Sequence, residues 1–235
     1  MKRICSLVLS GLLAVSALTG CQSGGASPSA AQPAPSQTGE EKDAVVIVMN
    51  MESEPEAGFD PAYGWGAGEH VHEPLIQSTL TVTNPDLTIG YDLATDCTVS
   101  DDGLTWTVRI RNDVTFTDGE PLTAADVAFT YNTVKASSSV NDFTMLASAE
   151  PVDDTTVRFH MTRPYSIWPY TMAIVGIVPE HAYDPTTYGA NPIGSGRYEL
   201  VQWDRGQQVI LEANPDYQLG APGFDRLVIT VTHNP

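Results

Sequence analysis

Positive charge is scarce in this sequence of 235 residues. There are 11 Lys and Arg against 29 Asp and Glu, and the formal net charge at pH 7 is −18. So acidic a surface repels phosphate backbones, which argues against nucleic acid as a partner. It suits plain solubility, or attraction of cationic ligands. Cysteine is scarcer still, at 3. Cys5 and Cys21 fall in the N-terminal segment, so Cys97 is left without a partner for an intramolecular disulfide. It reads as a small apolar residue, since no paired His motif accompanies it. Long apolar runs are missing too. The stretch over residues 4–18 is too short to span a bilayer comfortably. No internal repeat is visible.

Catalytic signatures are also lacking. A nucleophile elbow needs Gly two places before and two after its Ser, whereas Ser195 in "IGSGR" has Ile193 and Arg197 there. The Gly-rich run over residues 58–68 fails as a dinucleotide fingerprint, because Glu69 stands where the last Gly belongs. Asp118, Glu120 and Asp126 are close together but lack the alternating spacing of a calcium loop. The sequence therefore predicts no enzyme and no cofactor.

What is present begins at the N-terminus. Lys2 and Arg3 precede the apolar run, which ends in "LTGC" at Cys21. That order matches a secretory signal over residues 1–20 closed by a lipobox. The Cys21 thiol would take the lipid, each buried methylene contributing about 0.8 kcal/mol to anchoring. Ordinary secretion with Cys21 left free is the alternative. Residues 21–43, rich in Ser, Ala, Pro, Gly and Gln, cannot bury enough apolar area to offset ordering entropy and read as a tether.

Hydrophobic residues make up 42% of the chain, enough for one large domain or two small ones. "AVVIVMN" at residues 44–50 suits a strand buried on both faces. Residues 69–78 have a helical tendency that Pro74 opposes. "LTWTVRIR" alternates and predicts a half-buried strand, with a shorter one at 114–116. Thr123 and Asp126 have capping-box spacing before Ala124, Val127, Ala128, Tyr131 and Val134, which recur at helical intervals. Asp118-Gly119 has turn chemistry, and Glu120 is left to solvent. Further strands are predicted at 155–160, at 174–178, in a hairpin over 198–203 and 208–213, and at 227–233.

The run "VSDDGLTWTVRIRNDVTFTDGEPLTAADVAFTYN" resembles extracytoplasmic solute-binding proteins of ABC importers, the peptide/nickel-binding family 5. "HEPLIQS", "DLATDCTVSDDG", "GIVPEHAY", "NPIGSGRYELVQW" and "ANPDY" carry the resemblance in order over nearly all of 44–235. It implies an α/β, periplasmic-binding-protein-like fold of type II that closes about a hinge. The first lobe would comprise a base, residues 44–90 plus 174–235, and an inserted subdomain, residues 91–173. Members are usually longer, so the second lobe is expected to be absent. Arg197 stands where the family has Pro, and Cys97 where it has Trp. Both departures bear on packing.

The resemblance implies a lipid-anchored, extracytoplasmic protein that passes a peptide or metal-chelate ligand to membrane permease subunits. Within "AYGWGAGEHVH", the candidate ligand-facing residues are Tyr63, Trp65 and Gly66: flat aromatics beside glycines that let a ligand approach. Inward packing is the alternative for both aromatics. Phe143 and Met172 fall where relatives place cleft-lining side chains, with a core role as the alternative. His70 and His72 are weak metal candidates, because a two-residue spacing shares a face only in a strand. With one lobe a ligand loses half its contacts, and each 1.4 kcal/mol lost is about tenfold in affinity, so weak or absent binding is expected. The competing function is a non-transport surface module that recruits partners through an unpaired sheet edge.

Overall fold

The computed structural model describes residues 44–50, 58–63, 74–137 and 143–232. Among the described residues ten strands form three sheets. The first joins β1 (Ala44–Asn50), β8 (Tyr198–Asp204), β9 (Gln208–Ala213) and β10 (Arg226–Thr232) in the order β1-β10-β9-β8. β1 runs parallel to β10, with Ala44 opposite Arg226 and Asn50 opposite Thr232, and the other pairs are antiparallel. The second is a two-stranded ribbon of β2 (Thr81–Thr83) and β3 (Ile89–Tyr91). The third joins β4 (Ala94–Val99), β5 (Thr105–Ile110), β6 (Leu146–Asp153) and β7 (Thr156–Met161) in the order β4-β5-β7-β6. Helix α1 (Ala124–Ser137) packs on β6 and β7, and a short α2 (Trp168–Met172) lies near β2.

The alternation in β5 is realised. Trp106, Val108 and Ile110 are buried, and Arg109 between the latter two is exposed. β7 supplies Val157, Phe159 and Met161 to the same core, and α1 adds the five residues its spacing predicts. The acids at the start of α1 serve the backbone. Asp126 Oδ2 accepts the Thr123 N–H at 2.9 Å, the carboxylate half of a capping box. The Thr123 hydroxyl also donates to this carboxylate, at 3.0 Å, instead of capping the helix itself. Asp126 Oδ1 accepts the Glu180 N–H at 3.0 Å, so one carboxylate serves two elements. Asp118 Oδ1 accepts the Glu120 N–H at 3.2 Å in the expected turn, and its other oxygen meets His181 Nε2 at 2.8 Å.

Four expectations are corrected. β1 is a strand, but it is not buried on both faces. Among the described residues it has a single neighbour, and Val46, Ile47 and Val48 are 64%, 44% and 65% exposed. Residues 175–178 are buried and Ile174 half-buried, but the segment forms no strand. Their N–H groups are satisfied singly, Ile177 by Ser78 O at 2.9 Å and Val178 by Thr130 Oγ1 at 3.0 Å. Residues 114–116 make an isolated bridge, Thr115 with Pro121, around the Asp118 turn. Residues 74–78 are not helical, because Leu75 and Ile76 present their carbonyls to Tyr198 and Gly196. The other half of that predicted helix lies outside the described residues.

Cys97 is half-buried and packs against the core around α1. Burial, reinforced by the Asp96 charge, pushes its thiol up to about 11, which keeps it protonated and a poor nucleophile.

Candidate ligand-binding site

The Gly-rich segment leaves the first sheet's core under close constraint. Gly58 has φ +78, and a Cβ there would lie 2.2 Å from Gly189 O, so no other residue fits. Phe59 N–H donates to that same carbonyl at 2.8 Å. Residues 60–63 then form a turn. Asp60 Oδ1 accepts the Ala62 N–H at 2.8 Å, and Tyr63 N–H donates to Asp60 O at 3.1 Å. Tyr63 emerges 38% exposed, at the start of the segment read as ligand-facing. Trp65, Gly66, His70 and His72 lie outside the described residues, as do Cys21 and the signal and tether segments.

Beneath the turn is a buried polar network. Asp60 is 1% exposed, and its Oδ2 accepts the Tyr183 hydroxyl at 2.9 Å. Gln77 Nε2 donates to Phe59 O at 3.0 Å and to Tyr188 Oη at 3.2 Å, and Tyr188 Oη donates to Ile193 O at 2.6 Å. Burial raises the Asp60 carboxyl above the ordinary carboxylate value, against the lowering effect of its two hydrogen bonds. Burial also raises the Tyr183 hydroxyl, with the Asp60 charge adding to it, so both Tyr183 and Tyr188 stay protonated donors.

The structure does not bring Phe143 and Met172 to this surface. Phe143 is buried, with its ring 6.2 Å from Tyr131 and 6.1 Å from Trp168. Met172 is wholly buried where α2 ends. The core claims both because each carries an apolar side chain next to the Trp168 cluster. Among the described residues no group of three or more His, Cys, Asp and Glu stands in a metal-holding arrangement. Asp60, Gln77, Tyr183 and Tyr188 were not evident as a group from the sequence. The one local signal was an Asp-Pro pair inside a Gly-rich run, which marks a turn but names no distant partner.

The model for bacterial extracellular solute-binding proteins, family 5 (middle), matches residues 88–235. The chain belongs to this family. Family 5 proteins bind solutes and are not enzymes. Protein XP55 of Streptomyces lividans is 33% identical over 197 residues, 79% of this chain and 35% of the relative. The oligopeptide-binding protein AppA of Bacillus subtilis is 29% identical over 231 residues, 92% of this chain and 41% of its own length. Among solved structures, NikZ from Campylobacter jejuni in complex with Ni(L-His) superposes with a TM-score of 0.71 at 27% identity, covering 83% of this chain and 40% of that one. AppA in complex with a nonapeptide gives 0.68 at 29% identity, covering 81% and 40%. The fold is thus of the α/β periplasmic-binding-protein kind, and the chain spans about two fifths of the length of these family 5 relatives.

Proposed function

We propose that this chain captures oligopeptides or nickel and other metal chelates for an ABC importer, and that Cys21 anchors it by lipid to the outer face of the cell membrane. The match to family 5 over residues 88–235 carries the functional reading. Relatives bound to Ni(L-His) and to a nonapeptide supply the two ligand classes. The basic, apolar and Cys order at the N-terminus supports the anchor. The type II lobe would have residues 44–90 plus 174–235 as base and 91–173 as insert, a division supported by the separate first and third sheets. The exposure of Tyr63 supports its reading as a ligand-facing residue.

Calorimetric titration of the chain with Ni(L-His) and with nonapeptides tests this. Saturable but weak heat is expected, with a Kd between about 10 μM and 1 mM, reduced severalfold in affinity by Tyr63→Ala. No saturation by either ligand class, or chemical conversion of the ligand, would overturn the proposal. Radiolabelled palmitate should enter the wild-type chain in cells and be lost in Cys21→Ala; equal labelling of both would remove the anchor.

A second reading draws on the exposed Val46, Ile47 and Val48. An apolar strand with an edge unpaired among the described residues is a template for pairing with another chain. On that reading the protein is a surface interaction module. Concentration-dependent association on size exclusion, abolished by Val48→Lys, is its expected signature. A wild type that stays monomeric at all concentrations rules it out.

A further inference from the structure

We propose that Asp60 is a positioning residue for Tyr63: its buried carboxylate ties the turn over residues 60–63 to Tyr183 and so fixes where the Tyr63 ring meets solvent. The inference rests on the reading of this segment as ligand-facing. It goes further by assigning the device that holds the segment in place.

The turn is gripped at two points. On one side Asp60 uses both oxygens, Oδ1 on the Ala62 N–H at 2.8 Å and Oδ2 on the Tyr183 hydroxyl at 2.9 Å. On the other, the Ser137 hydroxyl at the end of α1 donates to Ala62 O at 2.5 Å. Tyr183 is itself immobilised. Its ring lies 5.5 Å from Phe129 of α1, edge on, and 5.2 Å from Tyr188. Asp60 therefore connects a loop residue to an aromatic platform set by distant parts of the chain.

A carboxylate is an expensive choice for a purely structural tie. Among the described residues no Lys, Arg or His pairs with it, and burial disfavours its charge. Asn would close the same turn without that cost. The charged form does what Asn cannot: it accepts at both oxygens, so the Ala62 N–H and the Tyr183 hydroxyl are satisfied together and strongly. The titratable groups facing it are Tyr183 and Tyr188, with Tyr63 and Asp184 beside Tyr183.

The sign of the pH effect follows from the raised carboxyl. Between the ordinary carboxylate value and that raised value the folded chain holds more protons than the unfolded one. Stability from this group is present at the acid end of the window and lost as pH rises through it. The carboxylate thus costs stability at neutral pH while it holds the loop.

The test places 3-fluorotyrosine at Tyr63 in the full chain and follows its fluorine resonance through the acid range, without ligand. A single inflection above the ordinary value of an aspartate carboxyl is expected in the wild type, absent in Asp60→Asn. Tyr183→Phe removes a hydrogen bond that lowers the Asp60 carboxyl, so it should move the inflection to higher pH. A pH-independent resonance in the wild type would overturn the proposal, as would an unchanged inflection in Asp60→Asn. Should Asp60→Asn not fold, the wild type and Tyr183→Phe decide it: an inflection unmoved by Tyr183→Phe counts against it. Because no ligand is added, a chain that binds nothing yet shows the Asp60-dependent inflection refutes the ligand-facing reading and leaves the positioning role standing.

Discussion

Gly194→Ala is expected to destabilise the fold by on the order of 3–5 kcal/mol, lowering the melting temperature by about 10 °C. A Cβ at this position would sit 1.9 Å from Ile76 O and 2.7 Å from Ile76 C, and neither can swing aside as a side chain could. Relief requires the 74–78 segment to retreat from residues 194–198. That retreat strains the bonds joining them, Gly196 N–H to Ile76 O at 2.8 Å and Tyr198 N–H to Leu75 O at 2.9 Å. It also disturbs the Ser78 hydroxyl, which donates to Ser195 O at 2.8 Å. Gly223→Ala is the control. Nothing lies within 4 Å of its Cβ, so it should change stability by less than about 0.5 kcal/mol. Urea unfolding followed by circular dichroism measures both, and equal midpoints for the two variants would show that the close approach is not a constraint.

Trp168→Ala is the second large loss, about 3–5 kcal/mol on the same measurement. Trp168 is almost wholly buried, and its ring lies 5.3 Å from Phe159, 5.6 Å from Tyr131 and 6.1 Å from Phe143. Removing it opens a cavity bordered by rigid rings that cannot collapse into the space. Tyr131→Phe in the same cluster should be neutral, or stabilising by about 1 kcal/mol, because the Tyr131 hydroxyl is buried without a hydrogen-bond partner among the described residues. A Tyr131→Phe loss as large as that of Trp168→Ala would mean the hydroxyl is bonded after all.

Local physics was legible in the sequence where the chain's own residues decide the outcome. β5 could be read because a half-buried strand writes its two faces as alternation. α1 could be read because Thr123 and Asp126 mark its start and its buried residues recur at helical spacing. The failures occur where neighbours decide. Residues 44–50 look doubly buried, yet burial depends on what lies beside and above the strand, and among the described residues β1 has only β10. Residues 174–178 have a strand's composition and nearly a core's burial, but no ladder partner among the described residues. β6 was missed because its residues are mostly exposed and Pro151 interrupts the pattern. α2 was missed because Pro169 reads as a breaker, although Pro is acceptable in a first helical turn. At the candidate site, the aromatic and glycine content was visible, but the tie between Asp60 and Tyr183 joins residues 123 apart and leaves no local trace.

The parallel pairing of β1 with β10 has a consequence in time. Ala44 faces Arg226, and these strands are the first and last of the ten. Hairpins such as β6–β7 and β8–β9 can close as soon as the ribosome has delivered them, because their ends are near in sequence. β1 must wait, made first and docked last, until synthesis has run almost to the end of the described chain. Throughout that interval the backbone edge that β10 will take is unpaired beside an apolar stretch, the segment a chaperone would have most reason to hold.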